Sequence, residues 1–169
     1  GWDISRSVGD YVDAAERMKA ADLDGLELQA YGHLMDQFWS PLTNDLDGPY
    51  GGSLDNRLRF TFDILRGIRE RCGEDFILGV RYTGDEDLPG GLTAEDGISI
   101  SQKLKDSGLV DFLNVVKGHI DTDPGLTDVD GRLSSVDTTG IGIPGTVGLI
   151  GYGEVGRILA EDLRGRGVP

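Results

Sequence analysis

The feature that most constrains the fold is a long polar and aromatic segment between a short apolar stretch and an amphipathic one. Gly25–Gln29 has the pattern of a buried strand, and a helical pattern resumes only after Ser53. A strand and the helix that follows it are usually joined by about 2–6 residues, and longer connections are usually functional. Because parallel α/β proteins keep their chemistry at the carboxyl ends of strands, the functional site is predicted to begin in this segment.

The surrounding patterns predict an alternation of strands and helices. Before the long segment, Val12, Ala15 and Met18 have helical spacing, and Ser7 with Asp10 resembles a capping box, which predicts a helix over Asp10–Ala21. After it come a helix capped by Ser53, a strand over Phe76–Tyr82, a helix from the Thr93–Asp96 capping box to about Ser107, and a strand over Asp111–Val116. The apolar stripe of the helix that follows Ser53 is predicted to comprise Leu58, Phe62, Leu65, Ile68 and Cys72, with Gly73 as its stop. This order predicts a parallel α/β architecture.

Composition excludes several classes of partner. The chain of 169 residues has a net charge of −14, whereas nucleic acids and anionic membranes attract clustered Lys and Arg. Cys72 is the single cysteine, which excludes an internal disulfide and a thiolate metal cluster, and no matched His and carboxylate spacing predicts another metal site. No apolar run has the roughly 20 residues that span a bilayer, and residues 1–10 lack a signal-peptide pattern. A cytoplasmic location is expected.

Four residues near the predicted strand ends are candidates for chemistry. Arg81 lies on the same strand face as Gly79, which has no side chain and is expected to leave space beside Arg81. A buried guanidinium requires an anion or polar acceptors. That partner is either a ligand, such as an electron-rich ring or a phosphate, or Glu27 in an internal salt bridge. Gln29, Tyr31 and His33 form an alternating polar row. His33 is either a proton donor or a structural loop residue. Phe38 and Trp39 are interpreted as core anchors of the loop.

The amino-acid composition changes near residue 121. Residues 121–145 are rich in Gly, Pro, Asp, Ser and Thr and predict a linker. Thr146–Gly151 then predicts a strand and Glu154–Arg164 a helix. Between them Gly151, Gly153 and Gly156 form a G-x-G-x-x-G turn, which in this context binds a pyrophosphate at a helix N-terminus. The alternative is a glycine turn without a ligand, because the acidic ribose partner expected about 20 residues later is not in the sequence.

Several blocks in order resemble the flavin-dependent old yellow enzyme family, and most closely its trimethylamine dehydrogenase and N-methylproline demethylase branch. The blocks are DGLELQAYGHLMDQFWSPLTN, YGGSLDNRLRF, LGVRYTGDED and DFLNVVKGHIDTD. The resemblance runs from about residue 11 to residue 130. It implies an FMN-binding (β/α)8 TIM barrel, of which this stretch supplies about the third helix through the sixth strand. The family's FMN phosphate site belongs to the loops after strands seven and eight, which the resemblance does not cover.

The resemblance also implies roles for the four candidates. Arg81 corresponds to the arginine that contacts the flavin ring, and Gln29 to the first substrate-binding His of many members. Tyr31 falls where members have a second His or Asn, and His33 falls at the Tyr that donates a proton in ene-reductases. Because the His/Asn pair is replaced, reduction of enone-like substrates is less expected than oxidation of a small N-methylated amine, by hydride transfer to FMN.

Residues 146–169 instead resemble the first βα unit of NAD(P)-dependent 6-phosphogluconate or 3-hydroxyisobutyrate dehydrogenases, with NAD(P) as the implied ligand. The predicted organisation is therefore a partial barrel over residues 1–120, a linker over 121–145 and a truncated Rossmann-like unit over 146–169. Two alternatives to the flavoenzyme are an NAD(P)-binding module and a non-catalytic fusion fragment. A barrel sector would expose strand edges and is expected to self-associate.

Overall fold

The computed structural model describes residues 3–119, which form three strands and four helices. In chain order they are α1 (Ile4–Ala20), β1 (Gly25–Gln29), α2 (Leu34–Trp39), α3 (Leu54–Cys72), β2 (Ile77–Asp85), α4 (Ala94–Asp106) and β3 (Phe112–Lys117). The strands form one parallel sheet in the order β1-β2-β3. The predicted parallel α/β architecture is thus confirmed, and the carboxyl ends of the three strands lie along one edge.

One face of the sheet is buried in the hydrophobic core. Leu28 lies beside Val80 in the register, Val80 lies beside Leu113, and Leu78 and Tyr82 of the same face of β2 are also fully buried. Gly79 and Arg81 lie on the other face of β2, which confirms the prediction that they share a face. The core face of α3 differs in part from the predicted stripe, because Phe62 is only half-buried. The fully buried apolar side chains of α3 include Leu58, Phe60, Ile64, Leu65 and Ile68.

The first helix begins well before the predicted start. Asp3 is its N-cap and accepts a hydrogen bond at Oδ1 from the backbone N–H of Arg6 at 3.1 Å. The predicted capping box of Ser7 and Asp10 is therefore wrong, since both residues lie inside the helix. An N-cap aspartate that accepts a hydrogen bond from the N–H three residues later satisfies one of the unpaired backbone donors in the first turn. This cap explains why the helix starts earlier than predicted.

The long segment after β1 contains a short helix that the sequence pattern did not predict. In α2, Trp39 is fully buried and its Nε1 donates to Thr61 Oγ1 at 2.8 Å, while the ring of Phe38 stacks on Phe60 with 4.5 Å between centroids. The interpretation of Phe38 and Trp39 as anchors is confirmed. These contacts attach the segment to α3 and hold it against the carboxyl edge of the sheet.

The caps of α3 and α4 follow the predictions. Ser53 accepts at Oγ from the backbone N–H of Asn56, and Gly73 ends α3 with a positive φ of 81°. In α4 the capping box is complete, because Thr93 Oγ1 accepts from the N–H of Asp96 and Asp96 Oδ2 accepts from the N–H of Thr93. Within residues 3–119 no helix combines the length and apolar character needed to span a membrane. The predictions for residues 121–169 lie outside the described residues.

Candidate functional site

The site is built on the face of the sheet opposite the core. Gln29, Arg81 and Asn114 are register partners on β1, β2 and β3, so they form one row across the sheet. The row below contains Glu27, Gly79 and Phe112. Strand side chains alternate between faces, which places all six on the side away from Leu78 and Val80. The upper row lies near the carboxyl edge, where parallel sheets bind ligands.

Arg81 has unused hydrogen-bonding capacity in this row. Its Nε is buried and has no hydrogen-bond partner among the described residues, and no ion pair within 4.0 Å joins its guanidinium to a carboxylate among them. The direct salt bridge with Glu27, one of the two predicted alternatives, is therefore not formed. An arginine donates only and keeps its charge, so a buried, unpaired Nε leaves room for a planar acceptor or an anion.

Glu27 is bound instead by the neighbouring strand. Its Oε2 accepts a hydrogen bond from Asn114 Nδ2 at 3.1 Å. Burial raises the pKa of the Glu27 carboxyl above its usual range, and the hydrogen bond from Asn114 and the positive charge of Arg81 act in the opposite direction. Arg81 is thus close enough to Glu27 to stabilise its charge without occupying its own donors.

The space predicted beside Gly79 is filled. A Cβ atom on Gly79 would lie 2.1 Å from Cζ of Phe112, so the glycine lets the aromatic ring of β3 cross over the strand. The prediction that Gly79 leaves space beside Arg81 is wrong in this respect. The ring of Phe112, which is 42% exposed among the described residues, forms a floor below the row of Gln29, Arg81 and Asn114.

The three polar residues Gln29, Tyr31 and His33, at and after the end of β1, are arranged differently from one another. Gln29 Nε2 donates to the carbonyl of Tyr31 at 3.1 Å, and the backbone N–H groups of Ala30 and Tyr31 both donate to the carbonyl of Arg81, at 2.8 and 3.2 Å. Gln29 and Tyr31 therefore lie beside Arg81, and Tyr31 is buried. His33 is the N-cap of α2, where its side chain is exposed and makes no capping hydrogen bond. The structure brings Gln29, Tyr31 and Arg81 together, and it leaves His33 at the rim.

Sequence reasoning missed three ionisable residues at the same edge. Asp36 of α2, Glu86 just after β2 and His119 just after β3 come from the three segments that follow the strands. The two carboxyl side chains are almost completely buried, and His119 Nε2 lies 4.0 Å from Glu86 Oε1. The only sequence signal was position, since Glu86 follows β2 directly and His119 lies two residues after β3. No set of His, Cys, Asp and Glu within residues 3–119 is arranged to hold a metal ion. Gly151, Gly153 and Gly156 lie outside the described part.

Comparison with known proteins places these residues in a family. The sequence profile described as "NADH:flavin oxidoreductase / NADH oxidase family" matches residues 2–123. The chain is 69% identical over 128 residues to a probable N-methylproline demethylase of Rhizobium meliloti (strain 1021), a match that covers 76% of this chain and 19% of that protein. It is 41% identical over 133 residues to an N,N-dimethylglycine/sarcosine dehydrogenase of Chromohalobacter salexigens, covering 78% of this chain and 19% of that protein.

A solved structure of similar fold is a 2-naphthoyl-CoA reductase in complex with 2-naphthoyl-CoA. The TM-score is 0.66 with 32% sequence identity, and the match covers 69% of this chain and 18% of the other. The chain thus spans about a fifth of the length of the curated relatives that it matches. The matched residues include both rows of side chains on the inner face, the face of the sheet opposite the core, together with Asp36, Glu86 and His119.

Proposed function

The chain belongs to the NADH:flavin oxidoreductase / NADH oxidase family, and on that premise we propose that it is part of an FMN-dependent enzyme that oxidises small N-methylated amines. In this proposal residues 1–120 form a sector of a (β/α)8 barrel whose lumen is lined by the rows of Gln29 and Glu27. The relatives named as a demethylase and as a dimethylglycine/sarcosine dehydrogenase support a substrate that carries an N-methyl group. An enone-like substrate is the alternative within the same family.

The observation that carries the proposal is the unpaired donor of Arg81. Its Nε is buried on the inner face at the carboxyl edge and lacks a partner among the described residues. A flavin ring offers carbonyl and ring-nitrogen acceptors in a plane, which a guanidinium fork matches. These features fit FMN, which when bound would accept a hydride from the N-methyl carbon of the substrate.

The chain's own residues then have separate tasks. Arg81 would hold the flavin ring and stabilise negative charge on it, and the Phe112 floor would exclude water from below. Gln29 is tied to the Tyr31 carbonyl through its Nε2, which leaves its Oε1 available to accept from a substrate group. Tyr31 would form an apolar wall beside it. His33 at the rim would donate or accept a proton as substrate enters or product leaves.

The substrate class can be tested by anaerobic reduction. The intact FMN-loaded protein would be mixed with N-methylproline or sarcosine, with proline and glycine as matched compounds that lack the N-methyl group. Bleaching of the flavin absorbance and release of formaldehyde with the N-methylated compounds alone is the expected result. Bleaching by NADH followed by reoxidation with cyclohexenone, with no response to either amine, would instead support the enone alternative.

The proposal for residues 121–169 rests on their sequence pattern. We propose that residues 121–145 are a linker and that 146–169 begin a second, NAD(P)-binding unit at Gly151, Gly153 and Gly156. NADPH fluorescence should then increase on adding the protein, and the increase should disappear in Gly153→Val. Unchanged fluorescence with the unmodified protein would refute this assignment. Self-association through strand edges predicts an elution volume that depends on protein concentration.

A further inference from the structure

Two buried carboxyl groups at the carboxyl edge of the sheet have no assigned task. Asp36 is 5% exposed and Glu86 is 1% exposed, and each has one side-chain oxygen without a hydrogen-bond partner among the described residues. Burying a carboxylate with an unsatisfied oxygen costs free energy. Two such groups at the same edge of the sheet therefore require an explanation beyond packing.

Glu86 joins two of the connections at this edge. Its Oε2 accepts from Ser40 Oγ at 2.7 Å and from the backbone N–H of Leu92 at 2.6 Å. The side chain is tightly enclosed, since a Cβ atom on Gly91 would lie 2.5 Å from the same oxygen. The other oxygen, Oε1, faces His119 Nε2 at 4.0 Å, and the His119 side chain is 16% exposed. Glu86 thus links the segments that follow β1, β2 and β3.

Asp36 belongs to the same group. Its Oδ2 accepts from the backbone N–H of Gly32 at 3.1 Å, while Oδ1 is unpaired. Burial raises the pKa of Asp36 to about 6, and the negative charge of Glu86 adds to this shift. The Gly32 hydrogen bond and His119 lower it. Glu86 after β2 and His119 after β3 are thus the charged groups among the described residues that shift the pKa of Asp36.

A proton is the simplest ligand for these buried oxygens. Within residues 3–119 the cluster is not part of any group of His, Cys, Asp and Glu arranged to hold a metal ion. Protonation removes one of the two buried negative charges and converts a carboxylate oxygen into an O–H donor.

We propose that Asp36, Glu86 and His119 form a proton-binding junction that clamps together the three segments following the strands of the sheet. Proton uptake neutralises one member of the buried carboxyl pair and tightens the junction. Proton loss leaves two buried negative charges facing the single imidazole and loosens it. Because these segments frame the inner-face row, the junction makes their order depend on pH. The inference needs only these residues and does not depend on the proposed substrate.

The size of the effect follows from linkage. If local opening exposes Asp36 to water, its pKa falls from about 6 toward the ordinary value of 3.8. The closed form then binds the proton more tightly, so closure is favoured below the raised pKa and weakened as the pH rises through it. A difference of roughly two pKa units limits the change in the opening equilibrium to about 100-fold.

Hydrogen–deuterium exchange of the intact protein between about pH 3.5 and pH 8 tests the proposal. After correction for intrinsic exchange rates, protection in peptides covering residues 30–40 and 86–93 should fall by up to about 100-fold as the pH rises from about 4 to about 6, and it should stay constant at higher pH. Asp36→Asn should remove this dependence. Asp10→Asn, which changes an exposed acid on α1, should retain it.

A second variant covers the case in which Asp36→Asn does not fold. Glu86→Gln retains an acceptor oxygen for Ser40 and Leu92 and removes the neighbouring charge, so the pH above which protection stops falling should be lower. The carboxyl carbon of Asp36, followed by NMR, should titrate near pH 6, where the protection reaches its constant high-pH value. Protection that is independent of pH, or an Asp36 carboxyl that titrates near 4, would overturn the proposal.

Discussion

Arg69 connects α3 to the starts of β2 and β3, and its removal should destabilise the described domain strongly. The guanidinium is 6% exposed. It donates to the carbonyls of Leu109 (2.8 Å), Phe76 (2.6 Å), Gly73 (3.2 Å) and Glu74 (3.3 Å), and to Asp111 Oδ2 (2.6 Å). Arg69→Met keeps most of the apolar stem and removes all five donors.

The magnitude can be worked from these contacts. Hydrogen bonds that involve a charged group contribute about 1.5–3 kcal/mol each, and an acceptor left buried without a donor costs about 1–3 kcal/mol. The carbonyls of Phe76 and Leu109 have the shortest bonds and carry most of the loss. The Asp111 side chain is 45% exposed, so solvent screening limits its ion pair to about 1 kcal/mol. A loss of about 3–5 kcal/mol in the free energy of unfolding is expected.

Urea unfolding followed by circular dichroism measures this loss. The matched control is Arg66→Met, one helical turn away, because Arg66 is exposed and pairs with Asp63 on the same helix. The control should lose less than about 1 kcal/mol. The prediction is refuted if Arg69→Met has an unchanged m-value and loses less than about 1 kcal/mol in the free energy of unfolding. In that case the hydrogen bonds of the Arg69 guanidinium would not be what holds β2 and β3 to α3.

Three further variants test packing and charge. Gly97→Ala places a Cβ 2.0 Å from the carbonyl oxygen of Gly84 and should cost at least about 1–3 kcal/mol, seen as a lower Tm. Thr61→Val removes the acceptor of the buried Trp39 Nε1–H, and a loss of about 1–3 kcal/mol with a changed tryptophan fluorescence is expected. Asp36→Asn should stabilise the protein at pH 8 by up to about 3 kcal/mol. The reason is that the raised pKa of Asp36 makes its charged form destabilise the folded state above about pH 6. The gain in stability should vanish below about pH 4.

Each of these three variants has a matched control substitution elsewhere in the chain. Gly9→Ala should be neutral or stabilising by up to about 1 kcal/mol, because nothing lies within 4 Å of its added Cβ. Thr43→Val, at an exposed threonine, should change stability by less than Thr61→Val. Asp10→Asn should show no gain at pH 8. A Gly97→Ala protein as stable as Gly9→Ala, an unchanged Tm in Thr61→Val, or an Asp36→Asn protein that is less stable at pH 8 would contradict the respective argument.

Sequence patterns predicted the helices and strands better than they predicted the contacts between them. Apolar periodicity and caps such as Ser53 and Thr93 are local signals, so β1, α3, β2 and α4 were placed to within a few residues. The start of α1 was missed because Asp3 is followed by a weakly apolar turn. The short helix α2 was missed because a run of aromatic residues has no clear period over so few positions.

The candidate site was predictable only in part for the same reason. Arg81 and Gln29 could be placed on one face and near one edge, since strand alternation and parallel topology fix both properties. The crossing of Phe112 over Gly79 depends on the register between strands, which the sequence does not encode locally. The burial of Asp36 and Glu86 depends on how three connections pack together, so single-chain patterns cannot distinguish them from the many exposed acids.

FMN affinity of the intact protein tests the central claim most directly. Apoprotein would be titrated into FMN while the quenching of flavin fluorescence is followed, for the unmodified protein, for Arg81→Met and for the exposed-surface control Arg66→Met. The account predicts that Arg81→Met raises the dissociation constant about 10–100-fold, the equivalent of one or two charged hydrogen bonds, while the control binds normally. Equal affinity in all three proteins would contradict the assignment of Arg81 to the flavin.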